Sequence, residues 1–217
     1  MRPISFIALF FSCFFFFLSP TQAQEANASN GALKVWEKIL ASNTRYPTAN
    51  LRARKTGYII IDIQFDEQGN IASHVTAEAK SKEMEKSAET ALEKAKDLWK
   101  PEMLSDRSRE EIYQLVFSFD MIDPNNPDAP IEAATKQIYK GKPEKALKIA
   151  DRLVNEKPFD PKYLELRSQI HRQLGNEAEA TADLLESQRL KEKTLATIDI
   201  KVFGVTSTRV VSGTFQR

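Results

Sequence analysis

The 217-residue chain contains one cysteine, two histidines and seven glycines, and its formal net charge is only +1. The single cysteine, Cys13, cannot form a disulfide within the chain, so packing alone must hold an exported form together. A balanced charge without a basic cluster argues against nucleic acid or an anionic membrane surface as a partner. These scarcities exclude a disulfide-stabilised scaffold and disfavour a nucleic-acid-binding protein.

The side chains that usually carry catalysis are also scarce. His74 and His171 lie far apart, and neither has a His, Cys or carboxylate beside it at metal-ligand spacing. The sequence has no glycine-rich phosphate loop and no Gly-x-Ser-x-Gly elbow, and the turn at 66–70 lacks the Asx pattern and distal Glu of a calcium loop. We therefore predict no enzyme activity, catalytic residue, cofactor or metal. The alternative is an enzyme or small-molecule binder whose site combines distant parts of the chain.

Residues 1–23 have the layout of a secretory signal peptide. A basic start at Arg2 precedes an apolar run at 4–18, and the small residues Thr21 and Ala23 suit cleavage after Ala23. This apolar run would form a helix of about 22 Å, shorter than a hydrocarbon core of roughly 30 Å. We predict cleavage and a periplasmic protein with 30 basic and 30 acidic side chains. The alternative is a retained inner-membrane anchor that faces the periplasm.

The next residues predict a small α+β unit. Residues 24–44 read as a flexible lead followed by a short helix around Trp36. Alternating apolar residues at 58–65, a turn at 66–70 and a weaker return strand predict a hairpin. An apolar stripe predicts a helix from Met84 to Trp99. A third strand is predicted at 111–121, with one face towards the helix and the other towards water or a partner.

This unit resembles the C-terminal domain of TonB-family proteins over roughly residues 45–122. The resemblance is carried by the Tyr46-Pro47 pair, by the spacing of Gly57 and Gly69, and by the helix that ends in Trp99. It implies a binding function rather than a catalytic one. Domains of this family bind an extended segment of an outer-membrane receptor by strand addition at an exposed sheet edge.

Carried over by position, the resemblance assigns partner binding to Tyr46, Pro47 and an edge strand at 112–118. The expected contacts on that strand are Ile112, Tyr113, Gln114, Val116 and Ser118. Two alternatives remain open. Tyr46 could simply pack against Trp99, and the third strand could have its edge already covered, for example by the C-terminal tail.

Residues 123–130 contain three prolines and read as a linker, after which the pattern is purely helical. At 131–190, the pair Gly141 and Gly175 and the pair Ala146 and Ala180 show the same separation in sequence. This separation equals the period of the tetratricopeptide repeat, so the region resembles two such repeats. Two repeats leave an apolar flank exposed, which the first domain, a second copy of the protein or the tail must cover.

The tail at 191–217 begins as a helix extension and then becomes β-like from Thr197, with a further β-like run at 208–211. We predict a terminal hairpin that packs on the repeats or adds to the free edge of the first sheet.

The sequence as a whole predicts an α+β protein, in which a TonB-C-terminal-like domain made of a hairpin, a helix and a third strand precedes an all-α repeat region. The expected function is that of a periplasmic adaptor. It would bind an extended segment of an envelope or outer-membrane protein by strand addition and a second protein on its helical repeats. A homodimer is also possible. The alternative is an energy-transducer component of TonB-dependent transport with a retained anchor, although a long proline-rich spacer is missing.

Overall fold

The computed structural model describes residues 20–122 and 129–203. The helices are α1 (Pro20–Asn43), α2 (Thr48–Arg52), α3 (Lys82–Ala95), α4 (Ala129–Tyr139), α5 (Pro143–Glu156), α6 (Pro161–Gln173) and α7 (Glu177–Lys193). The strands are β1 (Gly57–Phe65), β2 (Ile71–Ala79), β3 (Tyr113–Ile122) and β4 (Thr194–Phe203). The predicted α+β class, with a small sheet and helices followed by a helical region, is confirmed.

Three predicted segments fall wholly or partly outside the described residues. They are most of the signal peptide at 1–23, most of the linker at 123–130 and the second β-like run of the tail at 208–211. The flexible lead predicted at 24–30 is wrong, because the backbone is helical from Pro20 onwards. Ala129 and Pro130, placed in the linker by the sequence, begin α4.

The predicted hairpin is formed by β1 and β2, which pair in antiparallel orientation. One carboxylate oxygen of Asp66 accepts hydrogen bonds from the backbone amides of Gln68 and Asn70, at 2.9 and 2.8 Å. Gly69 has a φ of +86°, a conformation that residues with a Cβ rarely adopt. The local chemistry of this turn therefore fixes the register of the hairpin.

Helices α1 and α3 cover one face of the sheet. Ser81 caps α3, whose buried stripe consists of Met84, Ala88, Ala91, Leu92 and Ala95. Regular helix ends at Ala95 and a 3-10 turn follows, so Trp99 lies just beyond the helix rather than within it. The ring of Trp99 meets that of Trp36 edge to face, with 5.0 Å between the ring centroids. The two tryptophans therefore join α1 to the end of α3 in the main core.

Both tryptophan side chains also satisfy their N–H groups inside this core. Trp36 Nε1 donates to the Ala95 carbonyl at 2.9 Å, and Trp99 Nε1 donates to the Gly69 carbonyl at the same distance. A buried donor without an acceptor would cost about 1–3 kcal/mol. The hairpin turn, the end of α3 and α1 are thus locked to one another by directional bonds as well as by apolar contact.

The sheet has the order β2-β1-β3-β4, so β3 is an inner strand. β4 follows α7 directly and pairs with β3 in parallel orientation. An irregularity at its start places both Leu195 and Ala196 in the core, where they are joined by Ile198. The tail therefore takes one of its two expected positions, the edge of the first sheet.

The helical region α4–α7 forms the crossover that a parallel β3–β4 connection requires. It also touches the face of the sheet opposite α1 and α3. Phe159, in the loop between α5 and α6, lies with its ring centroid 5.0 Å from that of Tyr58. Beside it, Lys157 forms a salt bridge with the largely buried Asp120 at 2.5 Å. The expectation that the second face of the third strand meets water or a partner is therefore wrong in part, because the chain covers some of it itself.

A charged cluster holds three of these helices together. Arg167 of α6 makes two hydrogen bonds to the Asp183 carboxylate of α7, at 2.8 and 2.6 Å. It makes a third, longer bond of 3.3 Å to Asp151 of α5. The Asp183 side chain is 8% exposed, so its charge depends on Arg167 for compensation.

We predict that Ile198→Ala lowers the free energy of unfolding by about 2–4 kcal/mol, because it removes apolar volume from a side chain buried against β3. The measurement is urea-induced unfolding followed by circular dichroism. Thr197→Ala is the matched control, since Thr197 is exposed on the same strand, and it should change the free energy by less than about 0.5 kcal/mol. Equal effects of the two variants would contradict the placement of β4 in the core.

We also predict that Arg167→Ala lowers the free energy of unfolding by about 3 kcal/mol, because it leaves the Asp183 charge buried and unpaired. Arg152→Ala is the control, since its side chain is 64% exposed and its contact with Glu156 is 3.8 Å. That surface pair should contribute less than about 0.5 kcal/mol. A loss for Arg167→Ala as small as that of the control would show that the cluster contributes little to stability.

Candidate protein-interaction surfaces

Tyr46 and Pro47, two of the predicted binding residues, lie in the connection between α1 and α2. Pro47 occupies the position just before α2. The Tyr46 ring meets Phe119 of β3 edge to face at 5.6 Å, and its hydroxyl donates to the Lys55 carbonyl at 2.7 Å. Burial, and to a smaller extent the charge of Asp120, raise the pKa of the Tyr46 hydroxyl. The alternative that Tyr46 packs on Trp99 is wrong about the partner, because Tyr46 packs on Phe119.

The predicted binding residues of the third strand have partners within the chain. The Tyr113 hydroxyl donates to the Ser108 carbonyl at 2.9 Å, and the Gln114 amide donates to Asp62 at 3.3 Å. Val116 is fully buried, and Ser118 donates to the Asp120 carboxylate at 2.9 Å. Ile112, which lies just before β3, is 40% exposed. Of the five residues, Ile112 is therefore the most accessible to a partner.

The prediction that 112–118 forms an exposed edge is wrong. β3 pairs with β1 on one side and with β4 on the other, from Gln114↔Thr194 to Ile122↔Phe203. Its main-chain groups on both sides belong to the sheet. A partner strand cannot pair with β3 while β4 remains in place.

The two outer strands of the sheet are β2 and β4, and they differ in regularity. In β2 the pairing skips Ala77 and Ala72, so a bulge lies near each end and only Ser73–Thr76 is regular. Bulges twist an edge and hinder the addition of another strand. β2 is therefore a poor template for an extended partner.

β4 is the more regular edge. Its pairing with β3 is uninterrupted from Ala196 to Phe203. Thr197, Asp199 and Lys201 are exposed along it, and the Asp199 and Lys201 side chains form a salt bridge at 3.0 Å. Among the described residues, no strand pairs with the outer side of β4. The sequence predicts that this segment is β-like and that the third strand is the available edge, whereas the outer strand on this side of the sheet is β4.

The first and last helices of the helical region expose apolar side chains. Tyr139 of α4 is 86% exposed, and Leu184 and Leu185 of α7 are 37% and 64% exposed.

At the junction with the sheet, a groove of about 570 Å³ is lined by residues that include Thr56, Lys80, Met121 and Tyr163. A second cleft, of about 790 Å³, lies between the loop before β3 and the end of α7.

Neither histidine lines these two clefts. His74 lies 3.4 Å from Glu93 on the surface between β2 and α3, and His171 lies 3.3 Å from Asn176 in the α6–α7 turn. Within residues 20–122 and 129–203, no cluster of three His, Cys, Asp or Glu residues could hold a metal ion. Over the same ranges, no helix has the length and apolar character needed to span a membrane.

Comparison with known proteins assigns a family to the sheet domain. Residues 42–121 match the family model described as the Gram-negative bacterial TonB protein C-terminal. The match ends within β3, so the helical region and β4 lie outside it. No curated protein and no solved structure matches the chain. Residues 42–121 therefore carry a domain of the TonB C-terminal family.

Proposed function

We propose that the protein is a periplasmic adaptor that binds an extended segment of an envelope or outer-membrane protein by strand addition. The observation that carries this proposal is a TonB C-terminal domain whose sheet is extended by a regular outer strand, β4. Main-chain pairing with such an edge supplies affinity, and the neighbouring side chains supply selectivity. The exposed Thr197, Asp199 and Lys201 would lie beside the added strand.

Addition beside β4 costs less than replacement of β4. A segment that pairs directly with β3 would have to expel Leu195, Ala196 and Ile198 from the core. Each large aliphatic side chain contributes about 1.5–3 kcal/mol when buried. A free partner would also compete with a strand tethered at millimolar effective concentration or above. In this proposal, the partner does not contact Tyr46, Pro47 or most of 112–118. These residues support the position of β4 instead. The exception is Ile112, which is exposed and could contact the partner.

The helical region would serve as a platform for a second protein. Gly141 and Gly175, which occupy the same position in the two sequence repeats, have φ values of +65° and +77°. The following amides make equivalent bonds, from Lys142 to Gln137 at 3.0 Å and from Asn176 to His171 at 2.9 Å. Two helical hairpins with the same turn geometry support tetratricopeptide-like repeats. Arrays of this kind typically hold peptides or helices on their concave face.

A second candidate function is that of an energy-transducer component of TonB-dependent transport. It is favoured by the match of residues 42–121 to the TonB C-terminal family. A transducer needs an anchor in the inner membrane to receive force. The two candidates therefore differ in the fate of residues 1–23, which the adaptor loses and the transducer keeps.

We predict that protein isolated from the cell envelope begins at Gln24, because the small residues before it suit signal peptidase. N-terminal sequencing or intact mass measurement tests this. A variant with Ala23→Phe is the control and should accumulate uncleaved. Wild-type protein that still begins at Met1 would contradict the adaptor and favour the transducer.

We further predict that a photo-crosslinking amino acid at Asp199 captures an envelope protein in living cells. The same probe at Val75, which is 64% exposed on β2 at the opposite edge, is the matched control and should capture several-fold less. Mass spectrometry of the adduct identifies the partner segment. Capture confined to Val75 would move strand addition to β2, and capture from neither position would overturn strand addition.

A further inference from the structure

The turn between α4 and α5 carries a local excess of positive charge. Within residues 136–148 there are five lysines and a single carboxylate, Glu144. The lysines are all exposed, and they are Lys136, Lys140, Lys142, Lys145 and Lys148. Within the described part of the chain, none of these lysines takes part in a salt bridge. The expectation of a chain without a basic cluster is therefore wrong for this turn.

The helical region does not need these lysines for its fold. The α6–α7 turn has the same backbone geometry, with Gly175 in the place of Gly141. At the repeat offset, the positions of the five lysines are occupied there by Ile170, Leu174, Asn176, Glu179 and Ala182. None of these residues is basic. The positive charge is therefore a property of the first turn alone and not a requirement of the repeat.

Two of the lysines also lie where a helix disfavours positive charge. Lys142 is the N-cap residue of α5 and makes no capping hydrogen bond, and Lys145 lies in the first turn of that helix. The partial positive charge of a helix N-terminus favours acidic side chains, such as Glu177 and Glu179 at the start of α7. Lysines at this end add to the positive potential instead of offsetting it. The turn should therefore attract a negatively charged surface.

An exposed aromatic ring lies within the basic cluster. Tyr139 is 86% exposed, the highest value among the large apolar side chains that the structure describes. It continues a stripe of α4 with Ile131 and Thr135, and Lys136 and Lys140 border the same face. Tyrosine rings are enriched at the headgroup level of bilayers, where lysines can reach the lipid phosphates. The two residue types together fit the interfacial layer of a membrane.

The composition of the cluster favours a lipid surface over an acidic protein segment. Every cation within 136–148 is a lysine, and none is an arginine. Arginine pairs with carboxylates in a bidentate geometry, whereas lysine is a flexible point charge that suits the diffuse charge of a headgroup layer. The cluster also lies at the end of a helical hairpin and lines neither of the two clefts beside the sheet. This position suits contact with an extended surface.

We propose that the α4–α5 turn docks on the surface of a bilayer that contains anionic phospholipid. The lysines of the turn would lie beside the lipid phosphates, with the Tyr139 ring at the level of the headgroups. The contact makes no use of β4, so the inference goes beyond the proposed function and does not depend on strand addition. An adaptor bound in this way would be held at a membrane surface.

Co-sedimentation of the full mature protein with lipid vesicles tests the contact. Vesicles of phosphatidylglycerol and phosphatidylcholine in equal amounts should bind the protein, and vesicles of pure phosphatidylcholine should bind it much more weakly. Added salt should weaken binding to the anionic vesicles, because it screens the charges at their surface. Equal binding to both kinds of vesicle, or binding to neither, would overturn the proposal.

A set of lysine variants tests the assignment to this turn. Lys140→Gln, Lys142→Gln and Lys145→Gln together should weaken binding to the anionic vesicles about a hundredfold, at roughly fivefold for each lysine. The matched control removes the same charge from three exposed lysines of α3 that form no salt bridge among the described residues, Lys82→Gln, Lys86→Gln and Lys94→Gln. The control should bind like wild type, and circular dichroism checks that both variants are folded. An equal loss in the control would show that only net charge matters and would overturn the docking surface.

The ring and the competing partner are tested separately. Tyr139→Ser should weaken vesicle binding several-fold by a factor that salt does not change, because the loss of an apolar contact is not screened. Binding unchanged by this substitution would overturn the placement of the ring. A glutamate-rich peptide is the alternative ligand. If the peptide binds wild type but not the triple variant of the turn, and anionic vesicles do not bind, the surface fits an acidic protein segment and the membrane proposal is overturned.

Discussion

The parallel pairing of β4 with β3 is the constraint on which the rest of the structure depends. It joins the last described residues of the chain to the centre of the TonB C-terminal sheet and makes the four helices between them a crossover connection. Because parallel strands cannot be joined by a tight turn, the helical region has to pass over the sheet. Its contacts through Phe159 and Lys157 follow from that path.

This constraint also decides which strands form the edges of the sheet. In a three-stranded domain with the order β2-β1-β3, the third strand would be an edge. Here β4 takes that position, buries Leu195, Ala196 and Ile198, and presents its own regular edge outside. In the proposed function, the site for an extended segment therefore lies at β4, one strand further out than β3. The helical array contacts the sheet through Phe159 and Lys157 and continues directly from α7 into β4.

The core shows how a sheet domain and an added helix become one unit. Trp36 of α1 lies before the matched residues 42–121, yet it is fully buried and donates to the last residue of α3. Its ring contacts Trp99, whose N–H in turn holds the hairpin turn at Gly69. Residues on both sides of the family domain, α1 before it and β4 after it, thus complete its core.

Local sequence determined the hairpin with its Asp66–Asn70 turn, the apolar stripe of α3 and the paired glycine turns of the helical region. Each depends on residues only a few positions apart, whose periodicity and turn chemistry can be read directly. Strand order, the partner of Tyr46 and the occupation of the β3 edge were decided by the tertiary structure alone. They depend on the meeting of segments that are far apart in sequence, such as Gln114 with Thr194. No local period encodes that meeting, because the alternation that marks a strand is the same whether its edge stays open or is paired.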